Sequence, residues 1–154
     1  MAKVGERAPA FRARDQHGAE VALEDLLARG AVVLYFYPHD FTPVCTAQAC
    51  QFRDAYEELL GLGASIVGVS TDDESSHAKV ASRHSVPFSL LADGDKRISN
   101  AYGVNAFFGL RTVRKTFLID RTGVIRGVYH HELSAGAHVE DVRRGLRALA
   151  PVSA

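Results

Sequence analysis

Tryptophan is absent from the 154 residues, methionine occurs once, cysteine twice and proline five times. Two cysteines are too few for the disulfide framework of a small secreted scaffold. Nor does a chain of this mass need one: surface scaling gives roughly 7,600 Å² folded against about 24,000 Å² unfolded, so about two-thirds can be buried in a self-supporting core. Charge of one sign is also lacking, since 18 Lys plus Arg cancel 18 Asp plus Glu and the pI is ≈ 7.1. Without a basic field, nucleic acid is not an expected partner. No apolar run approaches the roughly eighteen residues of a membrane span. The opening "MAKVGERAPAF" sets Glu6 and Arg7 ahead of any apolar stretch, so no secretory leader is expected either. These absences predict one domain over 1–154 in a reducing, cytoplasmic compartment, where two cysteines stay thiols unless they carry redox or metal chemistry.

What is present is an alternation of strand-like and helix-like apolar blocks with short Gly- and Asp-rich punctuation. Residues 10–13 and 20–22 flank "RDQHG" and predict an N-terminal hairpin, followed by a short helix over 23–28 that ends at Gly30. The run "AVVLYFY" at 31–37 predicts a strand covered on both faces, stopped by Pro38. Apolar residues at helical spacing predict a helix over 44–60, closed by "GLG". A second buried strand is expected over 65–70. "TDDESS" then supplies N-cap and first-turn acids for a helix to about His84. A short strand over 88–91, a helical turn over 97–102, a hairpin of 116–119 with 124–129 around "DRTG", and a helix over 139–149 before Pro151 complete the order. That order predicts an α/β fold with a central mixed sheet flanked by helices. In such sheets chemistry gathers at the carboxyl ends of the strands, which points to the loop after Tyr37.

The loop reads Pro38-His39-Asp40-Phe41-Thr42-Pro43-Val44-Cys45. Cys45 falls in the first turn of a helix, where unpaired N–H groups and the positive dipole end favour an anion. A free thiol with a pKa near 8.5 is only about 3% ionised at neutral pH, so a nucleophilic cysteine needs such help. Thr42 stands at the helix mouth and either donates to a group over the thiol or caps backbone N–H groups. Pro38 and Pro43 stop a strand and start a helix, or else stiffen the loop and shield the thiol. Cys50 follows five residues later, which in an intact helix separates the Cα atoms by roughly 8 to 9 Å. A disulfide tolerates no more than about 7 Å, so bridging requires the helix start to unwind. The spacing differs from a C-x-x-C pair and fits no usual zinc ligand set. Cys50 on an apolar helix also reads as core packing.

The segment "YFYPHDFTPVCTAQACQFRD" resembles the active-site signature of the peroxiredoxins, P-x-x-x-T-x-x-C, and the second cysteine resembles the bacterioferritin-comigratory-protein branch, also called PrxQ. "VGERAPAF", "GVSTDD", "PFSLLAD", "YGV" and "RKTFLIDRTG" look like further family segments in family order. The resemblance implies a thioredoxin-like fold and a peroxidatic role for Cys45, with Pro38, Thr42 and Arg114 as its partners and Cys50 as the resolving cysteine. It implies reduction of hydrogen peroxide or alkyl hydroperoxides through a sulfenic acid and an intramolecular disulfide, recycled by thioredoxin or a similar dithiol donor. No metal, flavin or haem is implied, and the assembly expected is a monomer or weak homodimer. Spacing alone does not select Arg114 over Arg111. Val44 and Gln48 depart from the Gly and Glu common at these positions, which bears on how readily the turn unwinds and on local charge.

The remaining polar residues carry bland expectations. His77, His84, His130, His131 and His138 lack ligand spacing. Asp72, Asp73 and Glu74 read as first-turn acids, and Phe107 and Phe108 as an apolar loop. Two rival functions share these residues: a dithiol-disulfide oxidoreductase on the same fold, which the five-residue spacing disfavours, and a redox sensor whose helix melts on oxidation.

Overall fold

The computed structural model describes residues 2–106 and 111–149, without the side chains of Arg111 and Ala135. The loop at Phe107 and Phe108, and Pro151 beyond the last helix, lie outside the described residues. A hairpin of β1 (Arg12–Arg14) and β2 (Glu20–Ala22) leads into α1 (Leu23–Leu27) and β3 (Ala31–Phe36). Then come α2 (Pro43–Asp54), α3 (Tyr56–Gly61), β4 (Ala64–Ser70), α4 (Glu74–His84), β5 (Ser89–Ala92) and α5 (Arg97–Tyr102). The chain ends with β6 (Asn105–Ala106), β7 (Arg111–Thr112), β8 (Lys115–Ile119), β9 (Ile125–His130) and α6 (Ala135–Leu149).

Five strands form the central sheet in the order β5-β4-β3-β8-β9. β3, β4 and β5 run parallel, whereas β8 and β9 are antiparallel additions. The β-branched and aromatic run of β3 is central because its alternate residues feed two cores. Val33, Tyr35 and Tyr37 pack with Phe52, Leu59 and Val142 on one face, while Val32, Leu34 and Phe36 pack with Phe11, Tyr102 and Phe117 on the other. Fully burying each such side chain contributes about 1.5–3 kcal/mol. Tyr35 stacks on Phe52 at 4.8 Å, which seats α2 against the sheet. Gly68 makes room for that ring, since a Cβ there would lie 2.7 Å from the Tyr35 ring.

Four details differ from the sequence expectation. The helix expected over 44–60 is two helices, broken where Ala55 takes φ −91° and ψ 0°. Phe52 and Leu59 stay fully buried on either side of the break, so the apolar period does not register it. The last helix begins at Ala135 rather than 139, with the Ser134 hydroxyl accepting from the Ala137 N–H at 3.3 Å; the small residues of this first turn carry no apolar period. The short β6–β7 ladder was not expected at all. The first strand also sits at Arg12–Arg14, shifted from the expected 10–13. The parallel strands β3 and β4 deliver their carboxyl ends, Tyr37 and Ser70, beside the start of α2, and the Tyr37 N–H extends the ladder to the Val69 carbonyl at 3.1 Å.

Candidate active site: a buried thiol against a buried guanidinium

Thr42 occupies the N-cap of α2 with φ −80° and ψ 150°, and Pro43 opens the helix. A proline has no N–H, and an α-helix leaves its first N–H groups without intrahelical partners, so those of Val44 and Cys45 head the helix. Cys45 is 4% exposed, and Pro38 is buried just upstream. Arg114, on the approach to β8, is itself 3% exposed and donates from Nη2 to Cys45 Sγ at 3.2 Å. Its Nη1 donates to Gln48 Oε1 at 2.9 Å and its Nε to the Glu132 carbonyl at 3.1 Å. The Arg114 backbone N–H reaches Glu132 Oε2 at 2.9 Å. Both oxygen partners of the guanidinium are neutral, and an arginine keeps its charge in any protein setting. That buried cation is therefore available to negative charge that develops beside it during a reaction.

Thr42 settles neither sequence alternative in its simple form: it makes no side-chain cap bond, and its hydroxyl donates to the His39 carbonyl at 3.0 Å. With its hydrogen so placed, its oxygen is left as an acceptor. Cys50 is half-buried and both cysteines are free thiols, five residues apart along the continuous helix α2. The structure thus brings Cys45, Arg114 and Gln48 together, holds Thr42 and Pro38 in the loop before them, and keeps Cys50 at helical distance.

Two histidines given bland readings above prove to be buried and bonded, His77 to this loop and His138 to the turn after β9. His77 is fully buried, with Nδ1 at 2.8 Å from Asp40 Oδ2 and Nε2 at 2.9 Å from the Leu91 carbonyl. Burial alone would push the Asp40 carboxyl up, but hydrogen bonds from His77, Ser76 and Tyr37 and the His77 charge hold it below the usual range. Burial likewise opposes charge on His77, yet the bond and charge of Asp40, with the Leu91 carbonyl and Asp72, raise it above its ordinary value. His138 behaves oppositely. Burial, joined by the nearby positive charges of His131 and Arg114, pushes it down to about 4. Its Nε2–H donates to the His131 carbonyl at 2.8 Å and Nδ1 accepts from Thr116 at 2.8 Å, bracing the turn that presents Glu132 to Arg114. Asp72, read as a helix acid, instead folds back: its Oδ2 accepts from the Asp40 N–H at 2.8 Å and the Ser70 hydroxyl at 2.6 Å. Asp73 is the cap, accepting from the Ser76 N–H at 2.8 Å. The Asp73 cap is local, but no local pattern announces the roles of His77, His138 and Asp72, because each has a partner 14 or more residues away.

Phe41, between Asp40 and Thr42, has φ 62° and is 45% exposed. A left-handed backbone costs a bulky residue about 1–2 kcal/mol, so the surrounding bonds must impose it. Behind the thiol lies a cavity of ≈ 10 Å³ whose walls include Tyr37, Asp40, Cys45 and Val80. Among the described residues no group of three or more His, Cys, Asp or Glu side chains could hold a metal, and no helix is long and apolar enough to cross a membrane.

A thiol so placed, at a helix mouth over the carboxyl end of a mixed sheet and against a buried guanidinium, is equipped to attack, which sets the molecule among cysteine-dependent redox proteins. Comparison with known proteins narrows the class. The AhpC/TSA family model matches residues 4–128. A chloroplastic peroxiredoxin Q of Suaeda salsa is 40% identical over 152 residues, covering 97% of this chain and 71% of the relative. The crystal structure of peroxidoxin BcpB from Mycobacterium tuberculosis superposes with a TM-score of 0.91 at 36% identity, covering 97% of this chain and 99% of that one. A Xanthomonas campestris bacterioferritin comigratory protein, described for its alkyl peroxide reduction activity, gives 0.83 at 29% identity over 91% of this chain and 92% of its own. The chain belongs to the AhpC/TSA family and is a peroxiredoxin of the peroxiredoxin Q type, a thioredoxin-like thiol peroxidase that works through cysteine.

Proposed function

We propose that Cys45 is the peroxide-attacking residue and Cys50 the residue that resolves it. The Cys45 thiolate attacks the terminal oxygen of hydrogen peroxide or an alkyl hydroperoxide; the S–O bond forms as the O–O bond breaks, and the departing oxygen takes a proton and leaves as water or alcohol. The Arg114 guanidinium and the N–H groups heading α2 lie where negative charge shifts from sulfur toward the leaving oxygen. Thr42, its hydrogen committed to His39, accepts the peroxide O–H and orients it, and Pro38 helps exclude water. Cys45 becomes a sulfenic acid. After the first turns of α2 unwind, the Cys50 sulfur displaces hydroxide from it, releasing water and forming the Cys45–Cys50 disulfide. A dithiol donor of thioredoxin type then returns both thiols, in a reducing compartment such as the cytoplasm.

The observation that carries this reading is the 3.2 Å bond from Arg114 Nη2 to Cys45 Sγ, with neutral oxygens at the other guanidinium donors. It supports Cys45, rather than the half-buried Cys50, as the attacking thiol. Cys45→Ser is expected to abolish peroxide consumption in a stopped-flow assay; retained turnover in that variant would refute the assignment.

A further inference from the structure

We propose that His77 is a positioning residue for peroxide reduction: held as an imidazolium between the Asp40 carboxylate and the Leu91 carbonyl, it fixes the loop that carries Thr42 and Cys45. The inference rests on Cys45 as the attacking thiol but concerns residues the mechanism above does not use.

The protonation state follows from geometry. A carboxylate and a backbone carbonyl only accept hydrogen bonds, and they face Nδ1 at 2.8 Å and Nε2 at 2.9 Å respectively. Both ring nitrogens must then donate, which makes the ring cationic. The side chains of His77 and Asp40 are 0% and 1% exposed, so neither charge is satisfied by water. Each requires the other, because a buried charge left alone is strongly unfavourable.

The pair is also well placed to hold the loop. Asp40 receives Tyr37 Oη at 2.7 Å from the end of β3 and Ser76 Oγ at 2.7 Å from α4, besides His77. Its own N–H goes to Asp72, which in turn holds Ser70 at the end of β4. His77 carries the chain of bonds on to β5 through Leu91. Asp40 is thereby tied to three strand ends and one helix. The next residue is Phe41 with its positive φ, then Thr42 and the start of α2. Asp40 and Cys45 share the wall of the small cavity behind the thiol. Pulling Asp40 inward thus forces the left-handed turn at Phe41 and sets where Thr42 and the first helical turn fall.

The titratable groups facing His77 are Asp40 and Tyr37 from the loop and Asp72 from the β4–α4 turn; β5 contributes only a carbonyl. Tyr37 is pushed well up by burial and stays neutral. The raised folded value of His77 means the anchor is complete below the ordinary histidine range and is lost as pH rises through that raised value. The lowered value of Asp40 means the carboxylate side is lost only under strong acid.

The test is the rate of Cys45 oxidation by hydrogen peroxide as a function of pH, measured alongside alkylation by iodoacetamide, for the wild type, His77→Gln, Asp40→Asn and Cys45→Ser. Asp40→Asn is nearly isosteric and offers its amide to a neutral His77, so it guards against a His77 variant that does not fold. The wild type is expected to lose peroxide reactivity on the alkaline side as His77 deprotonates. Folded His77→Gln or Asp40→Asn should react with peroxide on the order of 10²-fold more slowly, show no such alkaline limb, and lose far less reactivity toward iodoacetamide, which needs the thiol but not the oriented pocket. Wild-type peroxide rates with the limb retained in either folded variant overturn the proposal, as do equal losses toward both reagents. Ring-nitrogen NMR of the wild type should show both His77 nitrogens protonated at neutral pH; one unprotonated nitrogen overturns it without any variant. Peroxide consumption surviving in Cys45→Ser would instead mark failure of the Cys45 assignment itself.

Discussion

Arg114 carries its charge among a sulfur, an amide oxygen and a backbone carbonyl, and this arrangement says more about the chemistry than does the cysteine alone. A guanidinium with neutral oxygen partners acts on whatever negative charge develops beside it. Replacing Arg114 with Met should therefore slow Cys45 oxidation by about 10² to 10³, the usual cost of losing one donor aimed at developing charge. Arg114→Lys should recover little of that loss, because one ammonium cannot reach three acceptors in a plane. Second-order rates with hydrogen peroxide check both. Arg114 was legible only through the resemblance: it lies 69 residues from Cys45, and nothing in spacing separates it from Arg111. Cys45 is the residue that local helix-start chemistry singles out; Thr42, Pro38 and Cys50 share its short segment, but locally they read equally as cap, strand stop and core packing, and only the resemblance gives them a role. His77 and His138 escaped notice because their burial and partners are products of tertiary packing.

Among the elements, α2 has two duties that conflict. Intact, it places Cys45 against Arg114; a Cys45–Cys50 bridge requires its first turns to open, since five residues of helix span roughly 8 to 9 Å between Cα atoms. Oxidation with one equivalent of peroxide should raise amide hydrogen exchange from Val44 to Cys50, while β3 and β4 stay protected. Equal protection of α2 in both redox states would contradict the unwinding step. Helix α6 makes a separate contribution through His138. A histidine whose folded value drops to about 4 from 6.5 stabilises the fold in its neutral form, so that stability falls as pH drops through this window. The loss amounts to about 3 kcal/mol. Denaturant titration between those pH values should show it, and His138→Gln should flatten the dependence. The position of α6 was only partly readable, because its Ala-Gly-Ala first turn has no apolar face to give a period. The break at Ala55 was hidden for the opposite reason, since the period continues through it.

At the scale of the whole molecule, the order of strands and helices was legible because β3 and β4 are nearly continuous apolar runs, and a right-handed crossover between parallel strands leaves few topologies. The sheet brings the ends of β3, β4 and β5 to one edge, and the α2 thiol stands over that edge. What the sequence concealed is the polar network that joins those ends, Asp40 to His77 and Asp72 to Ser70, spanning 37 residues in its central bond. Such bonds are invisible to periodicity, since a residue's exposure there is set by chain segments that meet only after folding. The opposite responses of the two buried histidines then give the fold an acid limit through His138 and the loop an alkaline one through His77. The central claim, that Cys45 takes the oxygen and Cys50 removes it, is tested most directly by treating reduced Cys50→Ser protein with one equivalent of hydrogen peroxide in the presence of dimedone and mapping the adduct by mass spectrometry. A single adduct on Cys45, with no turnover sustained by a dithiol donor, is the predicted result; an unmodified Cys45, or full turnover in this variant, would contradict it.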